Sequence, residues 1–484
     1  MTEPAGLPPD AVDSPNILPY ALGCSVLGIV LLTLRADSPA ITAVGVGLVG
    51  IPLACVLIFA PRLSFEILFI SSLALGSITA DQGVSIGFTI YGLDLLILLA
   101  TIGAIATMTV ESHGLRGILS PSVERTLVGL SLLAALSAIF GVMNGNPLAE
   151  VLGTLRRMFV YPIVSFAVGL AFLRPGAGTD RLRKMILFAG CLLLAIFVLR
   201  LMTGYGYRQE SFDAAGDVTR YLSYTETAVV AFAALVALST RTLTRHPEQR
   251  RTMTLAFTMF IVAIIGSNYR TAWLAMLGGV AVTMTALVRR QPRFGLRFGY
   301  LGLLTISVVS VLVTLTPLGP LLQEKFSRIN LLQTASWRLF SWAKAFSVFR
   351  EHPLFGVGLG YQHQFYRLSA DMQGVLFNTG NTIHNDGLWV LVNTGLLGFC
   401  VLVITLLALF RAGFSTVRLT PVPAVAALNA ACLGGFAVLT ITAMFQPTFS
   451  LGSSGVMVGV LAAVLHRGRD LETNPSDLPP RHSS

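Results

Sequence analysis

A histidine, His384, closes the polar run Asn378-Thr379-Gly380-Asn381-Thr382-Ile383, and is followed by Asn385, Asp386 and then a long apolar stretch. An imidazole whose ordinary pKa lies near neutrality can take a proton from a sugar hydroxyl as that hydroxyl attacks. Asn385 or Asp386 suits the N-cap of the helix that follows. Capping does not account for His384, and Asp386 either orients a neighbouring group or stays solvated. Two arginines sit where charge is costly. Arg220 opens an apolar run in GDVTRYLSYTETAVVAF, and Arg270 lies between two apolar runs in IIGSNYRTAWLAML. A guanidinium at such depth must snorkel, find a carboxylate such as Glu226 or Asp217, or meet an anion. Its planar fork suits the oxygens of a diphosphate. His352 and His363 have no neighbours at ligand spacing, and Cys24, Cys55, Cys191, Cys400 and Cys432 all fall in or beside apolar segments. The expectation is no metal site, no disulfide framework and no cofactor.

The elements that must hold these groups are membrane helices. Of 484 residues, 54% are hydrophobic and 12% charged, and the mean hydropathy is +0.75, the composition of a polytopic membrane protein. With about 20 apolar residues needed per span, candidate spans are 17–34, 40–60, 64–80, 86–108, 124–140, 150–172, 183–203, 221–240, 251–268, 270–288, 298–316, 387–410, 421–441 and 451–466. The predicted fold is all-α, with about 12–14 spans because the third and last are short. The net charge of +10 is not a nucleic-acid patch, because the basic residues fall in short blocks between apolar runs.

Lys and Arg concentrate in alternate connections, which puts the N-terminus in the cytoplasm and the long polar segment outside. Arg156, Arg157, Arg208, Arg220 and Arg270 are the exceptions on the outer side. The N-terminal tail 1–16 has no basic residue and is not a cleavable leader. Residues 17–316 hold the first eleven helices, 317–386 an extracytoplasmic loop, 387–466 the last helices, and 467–484 a Pro-rich disordered cytoplasmic tail.

Within the loop, apolar positions three and four apart (Trp337, Phe340, Trp342, Phe346, Phe349) predict an amphipathic helix over 334–349 whose Trp-rich face suits the headgroup layer or the mouth of the bundle. Pro353 ends it. Gly356, Gly358 and Gly360 then permit close backbone approach to a ligand or a helix, and their spacing is not a nucleotide-binding fingerprint.

These residues together resemble the O-antigen ligase and O-antigen polymerase superfamily. The resemblance rests on His384, Asn385, Leu388, Leu391, Gly395 and Gly398; on Arg338, Trp342 and Pro353-Leu354-Phe355-Gly356-Val357-Gly358-Leu359-Gly360; on Arg270-Thr271-Ala272-Trp273-Leu274; and on Arg220. It covers about 200–410. After Arg220 the chain departs from the pattern, reading Tyr221-Leu222-Ser223-Tyr224-Thr225-Glu226-Thr227, and ligase and polymerase both stay open.

The resemblance implies a membrane glycosyltransferase of the bacterial inner membrane. It would move a glycan from an undecaprenyl-diphosphate carrier to a lipid-A core sugar or to another repeat unit, with inversion and without a metal. His384, Arg270 and Arg220 would be catalytic. Arg338, Trp342, Gly358, Gly360, Asn385 and Asp386 would bind substrate, with the loop helix closing over the site. A transporter or flippase of lipid-linked glycans is the alternative. It would place buried ionisable groups near mid-membrane, where Asp94 and Asp81 are the candidates.

Overall fold

The computed structural model describes residues 61–74, 83–85, 89–110, 121–173, 178–204, 207–209, 218–267, 269–291, 328–362, 366–368, 376–378, 383–449 and 451–467. The predicted spans 17–34, 40–60 and 298–316, and the two tails apart from Arg467, lie outside them. Thirteen α-helices are described: α1 Pro61–Ala74, α2 Gly92–Val110, α3 Pro121–Met143, α4 Leu148–Leu155, α5 Tyr161–Phe172, α6 Gly178–Thr203, α7 Tyr224–Leu243, α8 Pro247–Gly266, α9 Arg270–Arg290, α10 Arg328–Glu351, α11 Asp386–Leu419, α12 Pro423–Ala443 and α13 Gly452–Arg467. A π-turn, Arg156–Val160, joins α4 to α5. Among the described residues, strands occur only as three antiparallel ribbons: β1 Gly83–Ser85 with β2 Thr89–Tyr91, β3 Tyr207–Gln209 with β4 Val218–Arg220, and β5 Tyr366–Leu368 with β6 Leu376–Asn378.

Seven of the described helical segments are long and apolar enough to cross a membrane, with α4, the π-turn and α5 forming one of them. The chain is a multi-pass helical membrane protein. Its centre is the pair α7 and α12, whose residues are buried almost throughout. Small residues bring their neighbours close. A Cβ on Gly434 would lie 2.0 Å from Thr283 Oγ1 of α9, and Thr283 Oγ1 donates to Ala430 O at 3.2 Å. Dispersion and interhelical hydrogen bonds of this kind hold helices together where lipid removes the hydrophobic drive.

Several helix boundaries depart from the hydropathy reading, as where β2 takes the first residues of the span placed at 86–108, and two of them have a specific cause. Helix α7 starts at Tyr224 rather than 221, because Ser223 makes a reciprocal capping box with Glu226. Helix α11 continues to Leu419, through the predicted cytoplasmic connection. Arg290 closes its end by donating to the carbonyls of Val417 (3.2 Å), Thr420 and Pro421 (3.2 Å), which satisfies groups a helix terminus leaves open.

Candidate active site

Five separate pieces of chain meet around Arg338. Strand β4 delivers Arg220 at its last residue, and α9 begins with Tyr269 at its N-cap and Arg270 at its first position. Helix α10 delivers Arg338 and Trp342. His384 and Asn385 lead into α11, and the turn between α12 and α13 supplies Gln446.

The guanidinium of Arg220 stacks 4.2 Å from the centroid of the Tyr269 ring. Burial pushes the Tyr269 phenol up, against the nearby charges of Arg220 and Arg338. The Arg338 guanidinium is pushed down, first by burial and then by Arg220 and Arg270, with Tyr269 opposing. His384 is pushed down to about 4, chiefly by burial, with a hydrogen bond to the Gln446 amide oxygen opposing the shift and Arg338 adding to it. Arg338 is therefore the electrostatic hub that links Arg220 and Arg270 to His384. The cluster gathers positive charge at the start of α9, where the helix dipole also favours an anion.

The local backbone around His384 is unusual. His384 has φ 52° and is the single non-glycine residue with positive φ among those described. This left-handed conformation costs on the order of 1 kcal/mol and persists where surroundings impose it. Two caps impose it here. Asn385 Oδ1 accepts from Leu388 N at 3.0 Å. Asp386, 2% exposed, accepts from the backbone N–H of Phe449 in the α12–α13 turn.

The expected apolar face of the loop helix is rearranged. Arg338, Ser341, Trp342, Ala345 and Phe349 turn towards the protein, while Leu339 and Phe340 are exposed. Trp342 packs on Phe445 with centroids 6.4 Å apart, and its Nε1 is buried with no hydrogen-bond partner among the described residues. A buried donor left open in this way is a place for a ligand acceptor.

Gly358 and Gly360 lie against helices. Helix α11 breaks at Gly395 (φ 67°, ψ −169°). The carbonyls of Val392 and Asn393 accept from Val357 N (2.9 Å) and Gly358 N (3.0 Å), while Leu396 N and Leu397 N donate to Pro353 O (2.9 Å) and Leu354 O (3.3 Å). The glycine segment thus replaces the hydrogen bonds lost at the break. A Cβ on Gly358 would stand 2.1 Å from Gly141 N, and one on Gly360 2.5 Å from Val151 N. Asn144 and Asn146, which sequence reading passed over, hold this segment through Val357 O at 3.1 Å and Leu359 O at 2.9 Å.

Glu226, one of the carboxylates the sequence offers to Arg220, is engaged with a different arginine. It forms a two-point pair with Arg200, at 2.9 and 3.3 Å, and Arg200 also donates to Tyr221 O at 3.0 Å. This pair fixes the segment that follows Arg220, and the hydropathy pattern had no signal for it. Asp94 is likewise engaged: it accepts from Arg156 Nη1 at 2.9 Å, from Tyr91 N at 2.8 Å and from the Tyr161 hydroxyl. Asp81 and Asp217 lie outside the described residues. Cys191, Cys400 and Cys432 are free thiols.

An apolar cleft of about 300 Å³ runs between α3, α5, α11, α12 and α13, walled by Leu130, Phe159, Leu402, Phe449, Gly459 and Ala462 among others. Val390, in the second turn of α11, also lines it.

Comparison with known proteins returns one family and no curated relative: no curated protein matches the chain. Residues 254–403, from α8 into the upper part of α11, match the family model described as O-antigen ligase. That stretch carries Arg270, Arg338, Trp342, His384, Asn385 and Asp386, and leaves Arg220 and Gln446 outside. The match supports an enzymatic, glycan-handling membrane protein of the O-antigen ligase and polymerase type.

Proposed function

We propose that this protein is an inverting glycosyltransferase that moves a glycan from undecaprenyl diphosphate to a sugar hydroxyl on the outer face of a bacterial inner membrane. The observation that supports this reading is the placement of Arg338 beside Arg220 and Arg270 on one side and His384 on the other.

The acceptor hydroxyl attacks the anomeric carbon from the face opposite the diphosphate. The new bond forms between acceptor oxygen and C1 as the bond from C1 to the diphosphate oxygen breaks. The hydroxyl proton passes to the imidazole of His384, and the bonding pair leaves with the lipid diphosphate. Arg220, Arg270 and the dipole of α9 stabilise the charge that develops there. A base of low pKa accepts a proton late, once the attacking oxygen has become positive. The donor also helps, because its negative charge offsets Arg338 and makes the imidazole more basic.

Trp342 Nε1 donates to a donor-glycan oxygen, and α10 shields the centre from water, which is a competing acceptor. The carrier's hydrocarbon chain lies in the apolar cleft below His384. Gly358 and Gly360 serve by locking the loop to α3 and α11, and Asp386 by anchoring the turn that carries Gln446.

The test is purified protein in nanodiscs with an undecaprenyl-diphosphate oligosaccharide, with and without lipid-A core. Lengthening without core marks a polymerase, and transfer only with core marks a ligase. His384→Ala, Arg220→Ala and Arg270→Ala should each leave folded protein with little transfer. Full activity of Arg270→Ala, or no transfer by the wild type under either condition, would overturn the reading.

A further inference from the structure

We propose that Asp94 is a positioning residue of the apolar cleft. By taking Arg156 and Tyr161 on one carboxylate it keeps the π-turn between α4 and α5 wide, and so turns Met158 and Phe159 into the space for the carrier's hydrocarbon chain. The proposal rests on the reading of that cleft as the lipid's place, and gives a binding task to a carboxylate that the transporter alternative would use otherwise.

The hold is made at both ends of the turn. Arg156 Nη1 donates to Asp94 Oδ2 at 2.9 Å, and the Tyr161 hydroxyl donates to Asp94 Oδ1. Asp94 is itself fixed, since Tyr91 N donates to Oδ2 at 2.8 Å, and the Arg156 guanidinium stacks 4.8 Å from the centroid of the Tyr91 ring. At 3.6 residues per turn, the spacing from Arg156 to Tyr161 puts two side chains roughly 140° apart round an α-helix. A turn closed from i to i+5 brings them to one side, and here Tyr161 N donates to Arg156 O. One carboxylate that meets both side chains therefore favours the wide turn over an α-turn. Pro162 disturbs the same place, because it has no N–H to offer Met158 O and its ring would press on that carbonyl. A proline accounts for a break but not for its register, since a kink would serve as well.

The register matters on two sides. A wide turn holds one residue more than an α-turn, which rotates α5 against α4 by about 100°. On the α4 side Val151 is 1% exposed and seats Gly360, whose Cβ would lie 2.5 Å from Val151 N. On the α5 side Met158 and Phe159 line the cleft. Helix α13 lies close against the widened backbone: a Cβ on Gly455 would stand 3.1 Å from Arg157 O, and one on Gly459 2.3 Å from Pro162 O. With an α-turn, either Val151 would leave Gly360 or Met158 and Phe159 would leave the cleft. Asp94 thereby aligns the seat of the glycine segment with the wall of the cleft.

The experiment is ¹³C NMR of methyl-labelled methionine in full-length protein in nanodiscs, with Met158→Leu identifying the resonance. The probe is undecaprenyl phosphate, which carries no glycan to transfer. The wild-type Met158 methyl should move as the lipid is added. Asp94→Leu with Arg156→Leu strands neither member of the pair. It should displace the Met158 resonance, weaken the lipid titration several-fold, and raise KM for the lipid-linked donor by a similar factor with kcat little changed. Asp94→Asn, which keeps part of the hold, should fall between. A structural role alone would lower yield or thermal stability without separating KM from kcat. A double variant whose Met158 resonance, lipid titration and KM match the wild type would overturn the proposal and leave the turn to Pro162. Should the double variant not accumulate, Tyr161→Phe decides, since it keeps the Arg156–Asp94 pair and releases one end of the turn; an unmoved Met158 and KM then count against the proposal. A wild-type Met158 methyl indifferent to the lipid would overturn the cleft reading and this proposal with it. A methyl that responds equally in the wild type and in the variants overturns the proposal alone.

Discussion

The Arg220 guanidinium lies flat over the Tyr269 ring, 4.2 Å from its centroid, so a residue at the end of a ribbon is held by the residue that caps α9. The ring holds it by its face and the hydroxyl by a hydrogen bond. Tyr269→Phe, which keeps the ring, should lose less transfer than Tyr269→Ala. Tyr269→Ala should lose about 0.5–2 kcal/mol of positioning, read as a fall of roughly 2- to 30-fold in kcat/KM with unaltered thermal unfolding.

Acidity should affect this enzyme later than an ordinary histidine would allow. The base must be unprotonated, and His384 is held at about 4, below the usual value near 6.5. The acidic limb of kcat/KM should therefore fall near pH 4, with activity intact at pH 6. Bound donor adds negative charge beside Arg338 and raises the imidazole, so the limb of kcat should lie at higher pH than that of kcat/KM. A full rate profile on stable protein checks both. A limb near 6.5 in kcat/KM would mean that His384 is solvated in the free enzyme.

Breaking the Arg200–Glu226 pair should cost folding rather than chemistry. Glu226 is 3% exposed and Arg200 23%. Removing one partner strands the other at a cost of about 3–5 kcal/mol. Glu226→Leu should lower the melting temperature in detergent sharply, and Arg200→Met with Glu226→Leu should recover much of the loss.

Two glycines of the same backbone conformation should respond differently to alanine. Gly358 (φ 82°) faces Gly141 backbone at 2.1 Å, whereas Gly145 (φ 79°) has nothing within 4 Å. Gly145→Ala should cost only the left-handed penalty of about 1 kcal/mol. Gly358→Ala adds a clash of the new Cβ with the Gly141 backbone, which cannot yield, and should abolish membrane accumulation in an expression assay.

Hydropathy located most of the described helices to within a few residues, with α1, α2 and α11 further off at one end, because a bilayer imposes a length on every apolar run. Arg270 and His384 were legible for the related reason that polar groups at the ends of such runs need an explanation. Gln446 was not legible. A neutral amide in a turn has neither charge nor period, and its partner is 62 residues away. Arg200 was hidden for a different reason: it ends an apolar helix as any interfacial arginine can, and only the folded chain brings it to Glu226. The loop helix was found but its facing was not. A count of apolar residues takes Phe340 together with Trp342, whereas the packed side is chosen by what it meets, and here it is the side of Arg338, Trp342 and Ala345.

The hydrogen bonds that join the glycine segment to the broken α11 run between main-chain groups: Val357 N and Gly358 N to the carbonyls of Val392 and Asn393, and Leu396 N and Leu397 N to those of Pro353 and Leu354. Side chains that touch can drift together, one growing as its neighbour shrinks. Peptide groups that touch have nothing to exchange. Across homologues Gly356, Gly358 and Gly395 should therefore stay fixed without covarying partners, and no second-site suppressor within the joint should rescue their loss. The loop that bears Arg338 and Trp342 can then diversify towards new sugars while its attachment stays the same. Chimeras that exchange it between relatives should be cut outside the glycine segment, with both halves of the joint taken from one parent.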